Sequence, residues 1–436
     1  MFTHRFHSKL VKRTKGRLAF VLALAVAGLP ALAKNKKAAV APESPEQKRI
    51  TLDITKIVWP NPPAIARIRF MDILSGEKID WAALKEPQKR KASWMDRLAG
   101  AQPDAQVQNI QSKMTFQLIR TYGVAVDSEG YIYAADQGVG AIFIFNLNTK
   151  EVRLIKNGQD AHFELINGLA IDDDDRLFVT DSKLHHVLVF NGQHQQVAVF
   201  GTGDLISPGG IAIDTENRFA YVVDTQADQV LVYDADKFKL LRRIGAGGKK
   251  HTLTDPGNFS LPTHVAVDKE GNVYVTDTLN NRVEIFDADG QFISEFGQSG
   301  DGPGRFARPK GIAIDSDGHI WVVDELQSRV QVFDKGGRLL IYLGQSGLYP
   351  GQFRAAYAIA ADRRNNRIIT SEQWPGRLQV FRYVTDAEAA AEKDRREAEQ
   401  AKPRANAADS PTRKGGEPVK EQTSPLSQAQ KGSALP

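Results

Sequence analysis

One segment pattern recurs six times, and that repetition limits the fold more than any other feature of the chain. It begins at Gly123 ("GVAVDSEGYIYAADQGVGAIFIFN"), Gly168 ("GLAIDDDDRLFVTDSKLHHVLVFN"), Gly210 ("GIAIDTENRFAYVVDTQADQVLVYD"), His264 ("HVAVDKEGNVYVTDTLNNRVEIFD"), Gly311 ("GIAIDSDGHIWVVDELQSRVQVFD") and Ala358 ("AIAADRRNNRIITSEQWPGRLQVFR"). The starts lie 42 to 54 residues apart, the period of a propeller blade. Each unit reads as an apolar strand, a short acidic turn, a strand ending in Asp, a loop, a strand ending in an aromatic, and a second turn. A fourth strand such as "QFISEFG" or "RLLIYLG" usually follows. Four antiparallel strands of period two cannot bury both faces alone, so they stack on their neighbours. The expected fold is all-β, a six-bladed β-propeller.

The sixth unit runs from "RLQVFRYV" into "TDAEAAAEKDRREAEQAK" without a fourth strand. Residues 64–74, "AIARIRFMDIL", alternate Ala66, Ile68 and Phe70 with Arg67 and Arg69, the pattern of a half-exposed outer strand. This N-terminal strand is expected to close the last blade, because an open ring would leave bare edges. Residues 90–100, "RKASWMDRLAG", read as a short amphipathic helix with Trp94 and Leu98 on one side. Thr385 and Glu388 form a capping-box pattern for a helix reaching about Lys402 before Pro403. Its only apolar residues are alanines, so firm docking is not expected.

The segmentation that follows is 1–33, a signal peptide; 34–122, an N-terminal segment with the closing strand; 123–384, the repeats; 385–402, a polar helix; and 403–436, a disordered tail rich in Pro, Gly, Ser and charge. The signal reading rests on the basic "HRFHSKLVKRTKGR", the apolar "LAFVLALAVAGLPALA" and an A-x-A site at Ala31 and Ala33. A periplasmic or extracellular location is expected, with no membrane span after cleavage. The chain of 436 residues has no cysteine. That excludes disulfides, a lipoprotein anchor, covalently attached c-type haem and thiolate metal sites.

The pattern "P-x-G-I-A-I-D", then "Y-V-T-D-T-x-N-N-R-V-x-I-F-D" and "E-F-G-x-x-G-x-x-P-G-x-F", resembles the NHL repeat over 123–384. With "VWPNPPAIARIRF" and "RPKGIAIDSDGHIWVVD", the chain is similar to exported bacterial NHL propellers often encoded beside multihaem cytochromes. The resemblance implies another exported protein as partner, with a cytochrome as one candidate. NHL propellers include enzymes, RNA binders and scaffolds, so the repeat speaks for fold rather than activity.

Strand order places all long, varied loops on one face of the disc, where a rigid scaffold carries binding residues. Loops into units four to six hold Lys249, Lys250, Arg305, Arg308, Lys310 and Arg354 against Asp255 and Asp301, a basic sector suited to an anionic partner. The opposite face carries acidic turns from Asp127 and Asp172 to Asp315 and Asp317. Tyr122, Asn167, Gly209, Thr263 with His264, Lys310 and Tyr357 should ring the channel mouth as a pocket for a small anion or a side chain. His264 adds a side chain where other units have Gly. Asp136, Asp181, Asp224, Asp277 and Asp324 recur once per unit, as a structural acceptor of loop amides would, with Arg282, Arg329 and Arg377 serving the same local order. Ser371 is read as the break in that series, opening the "SEQWPG" loop that exposes Trp374.

Peptidylglycine amidating lyases, which resemble this fold, hold a metal through three histidines on the axis. Here only His264 falls at the ring, while His162 and His251 lie in loops. Lactonases of six blades use axial carboxylates and amides for calcium, and this ring offers Asn167 alone. No G-x-S-x-G elbow is present. The reading is therefore a non-catalytic scaffold without cofactor, binding a protein or small anion through its loop face and no nucleic acid. A metal-dependent lyase or hydrolase at the axial mouth is the alternative.

Overall fold

The computed structural model describes residues 53–77, 116–247 and 255–401. Contacts divide the chain into Met1–Leu52 and Asp53–Pro436, and everything below concerns the second unit. The expected signal peptide, the 90–100 helix, Lys249, Lys250, His251 and the tail lie outside the described residues.

Six antiparallel sheets form the blades. Blade 1 has strands Thr121–Val126, Ile132–Asp136, Ala141–Phe145 and Val152–Lys156, numbered outward from the axis. The innermost strands of blades 2 to 6 are Ile166–Ile171, Pro208–Asp214, Pro262–Val267, Pro309–Ile314 and Ala356–Asp362. Second and third strands are buried on both faces, because each sheet is sandwiched between two neighbours; Phe143, Phe178, Tyr221 and Trp321 are at most 1% exposed. Outer strands such as Phe292–Phe296 face solvent.

Blade 6 has three strands of its own, Ala356–Asp362, Arg367–Glu372 and Arg377–Tyr383. Strand Ile68–Leu74 supplies the fourth, pairing antiparallel with Arg377–Tyr383 in the register Ile68↔Tyr383 and Leu74↔Leu378. Ala66, Ile68 and Phe70 are buried while Arg69 is exposed, as the alternation requires. The ring is thus closed by residues some three hundred positions from their partners, which removes two free edges.

The glycine that opens most repeats has a packing reason. A Cβ on Gly210 would lie 2.7 Å from His264 Cα, and one on Gly311 would lie 2.7 Å from Ala358 Cα. Adjacent inner strands approach too closely for a side chain there. The acidic turns also have a local reason: Asp127, Asp172, Asp268 and Asp315 each accept the turn amides two and four residues on. Tyr274 Oη and Trp321 Nε1 donate to the second oxygen of Asp268 and Asp315 at 3.0 and 2.8 Å.

Helix Asp386–Ala401 follows blade 6. The capping box forms, with Glu388 N donating to Thr385 Oγ1 (3.2 Å) and Thr385 N to Glu388 Oε2 (3.0 Å). Contrary to the expectation from its composition, the helix docks. Ala389 is buried, Asp386 N donates to Asp317 Oδ2 (2.8 Å), and Arg396 donates to the Pro63 carbonyl (2.9 Å). Polar and ionic contacts with blade 5 and the residues ahead of the closing strand replace the missing apolar face.

Candidate functional site

Each second strand runs up to the loop face and ends in a carboxylate that holds the loop entering its own blade. Asp136 accepts from Ile119 N and Arg120 N (2.7 and 2.9 Å), and Asp324 from Ala307 N and Arg308 N (2.8 and 3.1 Å). Asp181, Asp224 and Asp277 do the same. The sixth member is Glu372, paired with Ala356 as Asp324 is with Pro309. It accepts from Arg354 N at 2.8 Å and from Arg377 Nε at 2.7 Å. Ser371 therefore does not break the series, which corrects the sequence reading. It matches Thr180 and Thr276, whose hydroxyls also bridge inner strands: Ser371 Oγ donates to the Tyr122 carbonyl (2.5 Å) and Thr276 Oγ1 to the Lys310 carbonyl (2.7 Å).

Beyond that carboxylate, the loop to the third strand has one form in all six blades. Its fourth residue has positive φ: Gly140, His185, Asp228, Asn281, Ser328 and Gly376, between 52° and 68°. The second residue is the tip. Tips of blades 1 to 3 are Gly138, Lys183 and Gln226; those of blades 4 to 6 are Leu279, Leu326 and Trp374, 56%, 58% and 53% exposed. Blades 1 to 3 instead expose Ile119, Leu165 and Ile206 in the loops entering them. Every blade thus turns at least one large apolar side chain to solvent on this face. Sequence reasoning named only Trp374. Leu279 and Leu326 were legible only in the alignment of tip positions, because a single exposed leucine in a loop is unremarkable.

Of the expected basic residues, the described Arg305, Arg308 and Arg354 are in the loops of this face but differ in freedom. Arg354 stacks over Trp374, 4.9 Å from the ring centroid. Arg308 pairs with Glu325 at 3.6 Å, and Arg305 Nη1 donates to the Ser299 carbonyl at 3.2 Å.

At the axis the structure brings together Tyr122, Asn167, His264, Lys310 and Tyr357, from five different blades. Tyr357 crosses the mouth. Its hydroxyl donates to Asn167 Oδ1 (3.1 Å), and its ring meets Tyr122 (4.6 Å), His264 (5.0 Å) and the Lys310 ammonium (5.7 Å). The mouth is therefore packed rather than the open pocket expected from the sequence. Thr263 does not join it, bonding Thr278 Oγ1 at 2.8 Å instead. Burial, then the nearby Lys310 charge, pushes His264 down to about 3. Burial also holds the Lys310 ammonium below its ordinary value.

The channel is open from the other face as a well of about 370 Å³ lined by the inner strands. Arg363, which sequence reasoning missed, lies in it and donates to the carbonyls of Ile314 (2.9 Å) and Val267 (2.8 Å). The acidic turn face is partly neutralised as well: Arg218 reaches Asp173, Asp174 and Asp236.

Neither metal site suggested by related propellers fits the axial residues. One imidazole stands there beside an ammonium, and His162 is in a loop 3.9 Å from Glu164, whereas zinc needs three or four converging ligands. Asn167 Oδ1 is taken by Tyr357. Among the described residues the one cluster with metal-ligand spacing is Asp172, Asp173 and Asp174 on the turn face, which Arg176 and Arg218 already hold.

Comparison with known proteins agrees with the architecture. The DUF5128 family model, a 6-bladed beta-propeller, matches residues 262–334, blade 4 and most of blade 5. Mouse NHL repeat-containing protein 3 is 36% identical over 189 residues, 39% of this chain and 52% of that protein. The probable peptidyl-alpha-hydroxyglycine alpha-amidating lyase pgal-1 of Caenorhabditis elegans is 30% identical over 110 residues, 25% of this chain and 31% of the lyase. This chain is a six-bladed β-propeller with NHL-repeat relatives. It spans 31% and 52% of the length of those two. Among solved structures, a Bacteroides thetaiotaomicron protein of unknown function superposes with a TM-score of 0.50 at 18% identity, over 61% of this chain and 70% of that one.

Proposed function

We propose that this chain is an exported, non-catalytic scaffold that docks another exported protein on the loop face of its propeller, with a small anion as a second ligand there. The carrying observation is the exposed apolar side chain that each blade contributes to that face. Solvent gains nothing from six such residues around one axis, whereas a partner covering them removes apolar area from water. Arg305 and Arg354, in the loops entering blades 5 and 6, favour an acidic partner surface and speed encounter.

A photo-crosslinking residue at Leu326, compared with one at the equally exposed Leu340 of an outer strand (58% and 51%), tests this in the native host. One exported protein captured at 326 and not at 340 supports docking. Equal or absent capture at both positions overturns it. A haem stain of the adduct decides whether the partner is a cytochrome.

A second reading, a metal-dependent lyase or hydrolase, rests only on the similarity to an amidating lyase over 31% of that protein, since the axial residues do not form the metal site such a reaction needs. Near-stoichiometric zinc or calcium that is lost in His264→Ala would support it over the scaffold.

A further inference from the structure

We propose that the axial mouth of the loop face is a binding site for a single carboxylate, held by Lys310 and His264 behind the Tyr357 ring. This deepens the anion-binding half of the proposed function, and it can fail without affecting the docking half.

The argument starts from two unmet needs at one place. His264 is 7% exposed, and neither of its ring nitrogens has a hydrogen-bond partner. A buried polar group in that state calls for a missing partner. Beside it, the Lys310 ammonium stands over Tyr357 with no ion pair among the described residues, because Glu325 pairs with Arg308 instead. Lys310 is only partly exposed. One cation and one neutral imidazole are short of one negative charge, of an acceptor for the imidazole N–H and of a donor for its other nitrogen.

A carboxylate supplies the missing charge and an acceptor for the imidazole N–H at once, leaving the other ring nitrogen to accept from a neighbouring donor. It carries a single charge and two oxygens that together accept several hydrogen bonds, so it can take one from the ammonium and one from the imidazole N–H. Charge-assisted bonds of this kind are the strong ones. A water molecule could bond the imidazole but would leave the ammonium without a counter-charge. A phosphate dianion would exceed the one positive charge available. The rings of Tyr122 and Tyr357 form an apolar collar 4.6 Å apart by centroid, which suits a carboxylate on a carbon stem. Tyr357 is anchored by one neutral hydrogen bond to Asn167, so a ligand that replaces that bond can turn the ring aside.

The carboxylate has two sources, a free small acid or a Glu side chain of the docked protein. Full-length protein labelled at histidine is titrated with sodium acetate, at fixed pH and ionic strength against sodium chloride, while the His264 ring resonances are followed. Parallel titrations use a short neutral peptide with one central Glu and its Gln counterpart. The expected result is a saturable shift with acetate or the Glu peptide, weakened at least about tenfold in Lys310→Met and restored in Lys310→Arg. Tighter binding of the Glu peptide than of acetate assigns the carboxylate to a partner; the reverse assigns it to a free acid. No saturable shift with either probe, an equal shift with chloride, or an unchanged shift in Lys310→Met with the fold intact by circular dichroism overturns the proposal.

Discussion

Blades 4 to 6 and blades 1 to 3 are built on one plan and present different surfaces. Three residues before each inner strand stands a buried apolar anchor: Phe259, Phe306 and Phe353 in the later blades, Leu118, Phe163 and Leu205 in the earlier ones, all at most 5% exposed. In blades 4 to 6 the anchor follows a P-G-x turn whose glycine N–H is held by the third strand, Gly257 by Glu284, Gly304 by Gln331 and Gly351 by Gln379 at 2.7 to 2.8 Å. The earlier blades keep the anchor without that bond among the described residues. Their tips are Gly, Lys and Gln where the later tips are Leu, Leu and Trp. All six blades keep the buried anchor, the carboxylate that grips the loop amides and the left-handed fourth residue of the loop, while the tip varies. Surface chemistry is therefore free to vary blade by blade.

The largest expected effect tests whether the anchor is shared. Phe306→Ala should cost about 3–5 kcal/mol and Leu205→Ala about 2–5 kcal/mol in urea denaturation, since each leaves a cavity between blades. If Leu205→Ala cost less than about 1 kcal/mol, the two halves would differ in scaffold as well as surface. Next comes the carboxylate series. Asp324→Asn and Glu372→Gln should each lose about 1.5–3 kcal/mol, the range for hydrogen bonds to a charged group. A neutral Glu372→Gln would separate blade 6 from the rest.

His264 sharpens the contrast within the inner ring, where other blades have Gly or Ala. Its folded value of about 3 lies below the ordinary 6.5, so the unfolded chain takes up the proton first. Its contribution is complete above pH 6.5 and is lost as pH falls toward 3, with a slope approaching about 1.4 kcal/mol per pH unit. His264→Leu should flatten the stability profile in that window, and an unchanged slope would mean the imidazole is not sealed from water beside Lys310 and Tyr357. The smallest expected effect on folding belongs to the tips. Leu279→Ser and Leu326→Ser should change stability by no more than about 0.5 kcal/mol, while weakening capture of the partner at least about tenfold. Lys183→Ala and Gln226→Ala should change neither, and if they weakened capture equally the partner would contact the polar tips of blades 2 and 3 as well as the apolar side chains of this face.

Blade count, strand order, the closing strand 68–74 and the structural role of the recurring aspartates were all legible in the residues themselves. Each depends on period-two alternation, turn acidity or recurrence at a fixed spacing, and these are properties of neighbours in the chain. The misreading of Ser371 shows the limit of that method. In "ITSE" against "VTDT" the eye aligns the small polar residue with Asp, but the ladder Ala356↔Glu372 fixes the register. The helix after blade 6 was misjudged for a related reason, since polar docking leaves no apolar stripe to read.

What only the tertiary structure decided is how the six blades meet at the axis. Tyr357 reaches Asn167 across 190 residues of sequence, and no periodicity announces which of six ring positions will fill the mouth. The same holds for Arg363 in the opposite well, and for His264, whose ring nitrogens stand unpartnered beside the Tyr357 ring. Local pattern sets each blade because strands and turns form between near neighbours. The site arises where six blade edges converge, so its packing depends on side chains that share no local sequence.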